Sequence, residues 1–296
     1  SVVVTNLLSD TTYHVAVYAY AGTGTGITGI NYQQDLPATN SQKTLLVTAP
    51  PTVANPTQTA IEDTTATLGG EVTATNNASI TERGIYWSTT NGFLDGDGIK
   101  VSSTGTWGTG TFTEDVTGLN QSSVIYYKAF AVNSEGTTYT AQAAFQTEPS
   151  TQVSGLTITD ISHAGMQINW SGSGSGDGVI VVMKQATAVD TDPADGIEHS
   201  ANNQFGSGAQ LGSGNYVIFR AGGSSVIATN LTAETTYHVA AYAYAGTGSG
   251  VAGVNYQQDA RPTGFATTLT APVSEIPPTV VTTTPTAIEA TTATLG

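Results

Sequence analysis

The chain has 296 residues and a formal net charge of −15, with only seven Lys and Arg side chains and no cysteine. Because phosphate groups are bound by clustered basic side chains, this balance argues against nucleic acid or an anionic membrane surface as a partner. The absence of cysteine excludes disulfide bonds. The sequence contains no run of 18 apolar residues that would predict a transmembrane span.

The composition and the apolar periodicity predict an all-β protein. The chain contains 34 glycines and 13 tyrosines, is rich in Thr and Val, and has only 10% charged residues. β-Branched and aromatic residues suit a half-buried pleated surface, and glycine supplies turn conformations. Apolar residues alternate with a period of two along many short segments, without a helical stripe, which predicts antiparallel β-sandwiches.

The start of the chain is repeated later in the sequence. Residues 1–35 match residues 225–259 at 25 of 35 positions, and TAIEDTTATLG at 59–69 returns as TAIEATTATLG at 286–296. Ser1 thus corresponds to Ser225, and Thr59 corresponds to Thr286. The number of residues between the first and second occurrence is therefore nearly the same for both matches. The sequence therefore reads as one long period, present once in full and followed by part of the next.

Proline-rich joints divide this period into units. They lie at 48–57, 147–152 and 270–280, and proline makes short linkers of this kind semi-rigid. We predict four segments. These are the C-terminal half of a longer module (1–48), a complete shorter module (49–148), a complete longer module (149–271), and the first strand or strands of the next shorter module (272–296).

Within the longer module the alternation predicts which side chains face the core. In the strand TTYHVAAYAYA, Tyr237 and Val239 alternate with His238, Tyr242 and Tyr244. We assign the first set to the inner face and the second to the outer face. The first two strands of the module supply further inward candidates: Leu156, Ile158, Ile161, Met166, Ile168 and Trp170.

These residues resemble the fibronectin type III family. Leu231 precedes Tyr237 by six residues, as in that family's tyrosine corner, and Leu7 and Tyr13 repeat the spacing. Trp170 stands where the family keeps a buried tryptophan. The segments ITERGIYWST, VIYYKAFAVNSEGTTY and GDGVIVVMKQATAV are similar to the fibronectin-like modules of bacterial secreted surface proteins. The resemblance implies tandem sandwiches in a beads-on-a-string or filament arrangement.

The sequence offers few candidates for catalysis. Two of its four histidines, His14 and His238, are the same position in two copies of the repeat, on the outer phase of a strand. GSGSGDG at 172–178 lacks the lysine and helix of a phosphate-binding loop. We therefore expect no enzymatic activity and no organic cofactor.

Calcium is the one cofactor that the sequence suggests. The loop DTDPADG carries Asp190, Asp192 and Asp195, and calcium is bound by several closely spaced oxygen ligands. The same residues are ordinary turn formers, and the distal glutamate of a full calcium loop is missing. Both interpretations stay open at this point.

The outer phase of the repeated strand predicts a contact face. His14, Tyr18 and Tyr20 in the first copy correspond to His238, Tyr242 and Tyr244 in the second. Exposed tyrosines could dock a neighbouring chain or stack on sugars, or they could simply cover the sheet. Separately, Thr11 and Thr64 follow aspartates in a pattern that resembles O-glycosylation acceptors of bacterial surface proteins.

These observations favour a fibre. Half-modules at both ends indicate either a window onto a longer chain of repeats or subunits that complete one another's sandwiches. We expect a structural segment of a long bacterial cell-surface filament or adhesin stalk, contacting neighbouring repeats, other copies of itself, surface glycans or other cells. The alternative is a fibronectin-like linker or carbohydrate-contact region of a large secreted polysaccharide-active enzyme.

Overall fold

The computed structural model describes residues 1–22, 29–248 and 252–273, and the backbone of 288–289 and 292–293. Every regular element in this part of the chain is a β-strand, and all strand pairs within its sheets are antiparallel. No helix with the length and hydropathy needed to cross a bilayer occurs in the described residues.

The segment 1–48 forms two small sheets. Their strands are β1 (Thr12–Val17), β2 (Tyr20–Ala21), β3 (Asn31–Tyr32) and β4 (Ala38–Lys43). Strand β1 pairs with β4, and β2 pairs with β3. The shape is an open half-sandwich without a second layer.

The shorter module follows as a complete two-sheet sandwich. Its strands are β5 (Thr52–Thr59), β6 (Thr65–Ala74), β7 (Ile80–Ser88), β8 (Ile99–Trp107), β9 (Gly110–Thr117), β10 (Val124–Asn133), β11 (Gly136–Tyr139) and β12 (Ala143–Gln146). One sheet has the order β5-β6-β9. The other has the order β11-β10-β7-β8, with β12 also pairing with β10.

The core of the shorter module lies between these sheets. Leu68, Ile85 and Ile125 are fully buried there, and Tyr127 is 1% exposed. The sheets approach closely at Gly70, where a Cβ atom would lie 2.6 Å from the Cβ of Ala129. Such a separation is too short for two carbon atoms, so the packing of this core requires glycine at position 70.

The longer module is a second complete sandwich. Its strands are β13 (Ser154–Thr159), β14 (Met166–Ser171), β15 (Gly178–Gln185), β16 (Gln210–Leu211), β17 (Asn215–Ala221), β18 (Ser225–Ala228), β19 (Thr236–Ala245), β20 (Asn255–Tyr256) and β21 (Thr263–Thr267). One sheet has the order β13-β14-β18. The other has the order β16-β17-β15-β19-β20, with β21 also pairing with β19.

The inward positions predicted from the alternation are confirmed in this module. Met166, Ile168 and Trp170 are buried in the core between the sheets, and Trp170 Nε1–H donates a hydrogen bond to the Gly223 carbonyl (2.8 Å). Leu156, Ile158 and Ile161 are partly buried against the same core. A period of two therefore identified the inner face correctly.

The tyrosine corner is present in both copies of the repeat. The hydroxyl oxygen of Tyr237 accepts a hydrogen bond from the Thr232 N–H (3.0 Å), and that of Tyr13 accepts one from the Leu8 N–H (2.8 Å). This bond fixes the turn that leads into the central strand of the module. At the far end of the chain, β22 (Ile288–Glu289) pairs with β23 (Thr292–Ala293).

We expect Gly70→Ala to destabilise the shorter module by about 1–3 kcal/mol, because the added methyl group overpacks the sheet interface at Ala129. The free energy of unfolding in urea provides the measurement. Gly108→Ala is the matched control, since a Cβ atom at that position meets nothing within 4 Å. Equal destabilisation by the two changes would contradict the close approach of the sheets.

We expect Tyr237→Phe to destabilise the longer module by about 1–3 kcal/mol, because the Thr232 N–H loses its acceptor. Tyr216→Phe is the control, because the Tyr216 hydroxyl makes no hydrogen bond to any residue that the structure describes. Its effect should stay within about 0.5 kcal/mol. Urea unfolding of both variants decides whether the hydroxyl at position 237 stabilises the fold.

Candidate functional site

The outer face of β19 is covered by a second apolar layer. Tyr242, Tyr244 and Tyr256 are at most 8% exposed and pack in one cluster. The cluster also contains side chains from β15, β16, β17, β19 and two connecting segments: Ile180, Val182, Val189, Leu211, Val217, Ala240 and Val254. The longer module therefore has one core between its sheets and another outside them.

This layer corrects the prediction of an exposed contact face at Tyr242 and Tyr244. Alternation placed both residues correctly on the face opposite to Tyr237, but that face is not in contact with solvent. The long connection from β15 to β17 folds across it and contributes Val189 and Leu211. The two tyrosines are therefore buried structural residues in the complete module.

Tyr242 is also the centre of a small polar group. Its hydroxyl donates a hydrogen bond to Asp192 Oδ1 (2.7 Å), and Arg261 Nε lies 3.2 Å from the same oxygen. The Arg261 guanidinium lies over the Tyr242 ring, 5.5 Å from its centroid. Burial, together with the Asp192 carboxylate, raises the pKa of Tyr242 far above its usual range. The phenol is thus held neutral as a hydrogen-bond donor.

The first copy of the repeat leaves the corresponding side chains in solvent. Tyr18 is 46% and Tyr20 is 65% exposed, and His14 is exposed as well. In the second copy the His238 ring lies 5.4 Å from the Phe265 ring, whereas Ser41 occupies the position of Phe265 in the first copy. The exposure of these side chains therefore differs between the two copies, and a contact made by the exposed set in residues 1–48 stays a prediction.

The three aspartates of the suggested calcium loop point to separate partners. Asp190 pairs with Lys184 Nζ (2.6 Å), and hydrogen bonds from Lys184 and then Asn215 lower its pKa. Asp195 accepts a hydrogen bond from the Tyr256 N–H (2.8 Å), and burial raises its pKa. In the described ranges no three Asp, Glu or His side chains form a group able to hold a metal ion. Calcium binding stays a prediction without geometric support.

The two threonines of the glycosylation pattern lie at turns. Thr64 is exposed, and its hydroxyl donates to Asp63 Oδ1 (3.1 Å). Thr11 is partly buried, and its hydroxyl donates to the Ser9 carbonyl (2.9 Å). Of the two, only Thr64 presents its side chain freely to solvent. Whether either is modified stays a prediction.

Sequence reasoning missed a bonded joint between the two complete modules. Pro149 is buried at this junction. Only Thr147 and Glu148 separate it from the end of β12. Direct hydrogen bonds cross the joint or tie the linker to the longer module. They include Ser122 Oγ–H to the Ser175 carbonyl (2.8 Å), Asn255 Nδ2–H to the Gln146 carbonyl (3.0 Å) and Gln257 Nε2–H to the Pro149 carbonyl (3.0 Å).

Glu148 lies at the centre of this joint among other carboxylates. Its backbone N–H donates to the Glu62 carbonyl (3.3 Å), and its own carbonyl accepts from the Ser122 N–H (3.0 Å). Burial raises the pKa of Glu148 to about 8, with further contributions from Glu62, Asp195, Asp259 and Asp63. At neutral pH the joint therefore favours a protonated Glu148, because ionisation would add a charge to an acidic, partly desolvated surface.

Little in the sequence pointed to Glu148. It stands in the proline-containing stretch TEPST, which predicts a linker, and a linker carboxylate is expected to be solvated. The one signal in the sequence for a joint at this position is Pro149, which follows Glu148. A short linker stiffened by proline keeps two modules close together. The acidic neighbours come from both modules and become adjacent only in the folded chain.

Comparison with known proteins gives matches among solved structures alone, since no family model and no curated protein matches the chain. A two-domain fibronectin type III segment of chicken tenascin is 12% identical, with a TM-score of 0.32, over 74% of this chain and 99% of that one. The FN1–FN3 domains of chicken CNTN1 are 15% identical, with a TM-score of 0.38, over 90% of this chain and 79% of that one.

We expect the stability of the protein to fall as the pH rises from about 4.5 to about 8. The unfolded Glu148 ionises near its ordinary value of 4.5, whereas the folded one holds its proton until about 8, so the folded state binds more protons in this window. Glu148→Gln cannot ionise and should lack this decline. Because the carboxyl group is only about half buried, the expected difference is about 1–3 kcal/mol.

Urea unfolding at pH 5 and pH 9 measures this difference. Glu135→Gln is the control, because Glu135 is exposed at the turn between β10 and β11. It should change with pH as the unmodified protein does. If Glu148→Gln showed the same pH dependence as Glu135→Gln, the raised pKa of Glu148 would be wrong.

The strand orders, the tyrosine corner and the buried Trp170 together define the architecture. Each complete unit pairs a three-stranded antiparallel sheet with a larger one, and the two units follow one another along the chain. The described part of the chain is a tandem array of antiparallel β-sandwich modules.

Proposed function

We propose that this chain is a structural repeat segment of a very long secreted bacterial surface filament or adhesin stalk. Its role is to provide reach and mechanical continuity, with neighbouring repeats or other copies of the chain as partners. Tandem fibronectin type III-like domains are typical of extracellular structural and adhesion segments, which supports this role and an extracellular location.

The observation that carries the proposal is the bonded joint at Pro149. A tether between independent modules would leave the linker in solvent, yet Pro149 is buried and its carbonyl is bonded to Gln257. Ser122 and Asn255 add bonds that connect the shorter module directly to the longer one. A stalk needs a joint of this kind, because it transmits orientation as well as tension from one module to the next.

The chemistry of the described residues also fits a non-enzymatic role. In the longer module, Lys184 of β15 pairs with Asp190, and Arg220 of β17 pairs with Glu198. Such pairs serve the packing of loops on a sheet. We accordingly assign no reaction and no cofactor to this segment.

The alternative is a fibronectin-like linker or carbohydrate-contact region of a large secreted polysaccharide-active enzyme. The complete longer module does not offer Tyr242 and Tyr244 for stacking on sugars, because both side chains are buried. Their counterparts Tyr18 and Tyr20 are exposed, but they lie in the half-module at residues 1–48. We therefore retain the filament proposal.

A distance measurement between spin labels tests the stiffness of the joint. Because the chain has no cysteine, Thr104→Cys in the shorter module and Ala201→Cys in the longer one give two unique attachment sites, both exposed. We expect a single narrow distribution of distances between the labels in double electron–electron resonance. The reason is that the cross-joint hydrogen bonds and the buried Pro149 hold one relative orientation.

The comparison variant carries six additional Gly and Ser residues after Ser150, which separate the modules without changing either one. Its distance distribution should be broad, as flexible linkers give. A distribution in the native-length chain as broad as that of the insertion variant would overturn the proposal of a mechanically continuous stalk.

A further inference from the structure

The turn between β7 and β8 contains the one Asn–Gly pair of the sequence, Asn91–Gly92. Both residues are exposed, and Gly92 has a φ of +75°, in the left-handed region. A Cβ atom at Gly92 would meet nothing within 4 Å, so no other part of the described chain crowds the pair. Because glycine has no Cβ atom, the Asn91 side chain can approach the next backbone nitrogen without steric hindrance.

An asparagine in this position can react with its own backbone. The Gly92 nitrogen attacks Asn91 Cγ, the new N–Cγ bond closes a succinimide ring, and the Cγ–Nδ2 bond breaks. The proton of the Gly92 N–H leaves with Nδ2, so that one molecule of ammonia is released. One water molecule then opens the ring at either carbonyl, which gives aspartate or isoaspartate. The reaction needs no reactant besides this water molecule.

Gln142 holds both of the reacting groups. Its Nε2–H donates a hydrogen bond to Asn91 Oδ1 (2.8 Å), and its Oε1 accepts one from the Gly92 N–H (2.9 Å). The two partners lie 51 and 50 residues away along the chain, so the contact depends on the fold of the shorter module. One planar amide therefore fixes the Asn91 side chain and the Gly92 peptide group relative to each other.

The backbone of Gln142 is itself held on the sheet. Gln142 directly precedes β12, whose first residue Ala143 pairs with Tyr127 of β10. Two residues before Gln142, Thr140 is buried and its N–H donates to the Ala129 carbonyl (2.9 Å). The Thr140 hydroxyl oxygen accepts a hydrogen bond from the Ala129 N–H (3.0 Å). Gln142 therefore projects from a backbone that is fixed on both sides.

The residues that follow the Asn–Gly pair are anchored as well. Phe93 is 7% exposed, and its carbonyl accepts a hydrogen bond from Lys128 Nζ (3.0 Å). The same Nζ pairs with Asp95 (2.7 Å). Since Lys128 belongs to β10, this strand holds both sides of the contact, the loop and the segment that carries Gln142.

This contact opposes the closure of the ring. The Gly92 nitrogen attacks only when its proton is released, and the hydrogen bond to Gln142 Oε1 keeps that proton in place. Asn91 Cγ must also turn towards the nitrogen, and the hydrogen bond to Asn91 Oδ1 holds the side chain. A carboxamide oxygen is too weak a base to remove the proton itself, so Gln142 restrains the reaction and does not assist it.

We propose that Asn91 is a site of spontaneous deamidation and that Gln142 slows its conversion. The product adds a negative charge to a loop that already contains Asp95 and Asp97. In the isoaspartyl form the backbone is one carbon longer, so the Gly92 N–H no longer lies opposite Gln142 Oε1. Conversion therefore removes the contact permanently and releases the loop from the segment before β12.

The rate of deamidation tests this proposal. The native chain, Gln142→Ala and Gln121→Ala are incubated in mildly alkaline buffer, and the peptide that contains residue 91 is followed by chromatography and mass spectrometry. We expect Gln142→Ala to deamidate about tenfold faster than the native chain, because two neutral hydrogen bonds are lost. Gln121→Ala is the matched control, since Gln121 is an exposed glutamine of the same module. It should react at the native rate.

Two references separate a local effect from unfolding. A synthetic peptide with the sequence of residues 86–97 gives the rate without Gln142, and the rate of Gln142→Ala should approach it. The native chain should react more slowly than this peptide, a comparison that needs no variant. Asn133 is buried and followed by serine, so its deamidation reports loss of the fold. It should stay unmodified in all three proteins.

A native chain that deamidates as fast as the synthetic peptide would overturn the proposal, since Gln142 would then give no protection. An equal or slower rate in Gln142→Ala, with Asn133 unmodified, would also overturn it. These outcomes concern the shorter module alone and are independent of the spin-label distances across the joint at Pro149. Failure of this proposal is therefore distinguishable from failure of the stalk proposal.

Discussion

Strand β19 is apolar on both of its faces, and the arrangement of the longer module follows from the need to cover both. On one side Tyr237 and Val239 pack into the core between the sheets, and on the other Tyr242 and Tyr244 pack under the outer layer. Each buried side chain of this size contributes about 1.5–3 kcal/mol relative to exposure. A single facing sheet could not provide this burial, so the connection from β15 to β17 forms a third layer.

The same constraint explains the two copies of the repeat. Where residues 149–224 precede the repeated strand, it is continuous and buried. In residues 1–48 the corresponding strand is interrupted, and Val15 and Val17 are exposed. The register of β1 with β4 is nevertheless the same as that of β19 with β21. The two copies therefore share their local pairing and differ in burial.

The joint between the modules combines direct hydrogen bonds with an electrostatic cost. Hydrogen bonds from Ser122 and Asn255 hold the modules end to end, and this brings acidic side chains from both into one region. Burial raises the pKa of Glu148, and the neighbouring carboxylates raise it further, so protonation of this group relieves part of that cost.

Much of the fold could be predicted because it depends on near neighbours in the sequence. Alternation places Met166, Ile168 and Trp170 in the core, and the resemblance to fibronectin type III modules indicates the tyrosine corner at Leu231 and Tyr237. The candidate site is harder to predict. Alternation assigns a side chain to a face, but it carries no information on what lies over that face, so the predicted exposure of Tyr242 and Tyr244 is wrong.

The sequence by itself determined the all-β class, the phase of each strand and the repeat, because strand periodicity and turn residues act within about ten positions of one another. Only the tertiary structure decided that the outer tyrosines are buried, that the aspartates of 190–195 pair with separate partners, and that Glu148 shares a joint with carboxylates of both modules. The physical reason is distance along the chain. Tyr242 meets Asp192 across 50 residues and Asn255 meets Gln146 across 109, and contacts of that range form only when the layers have packed.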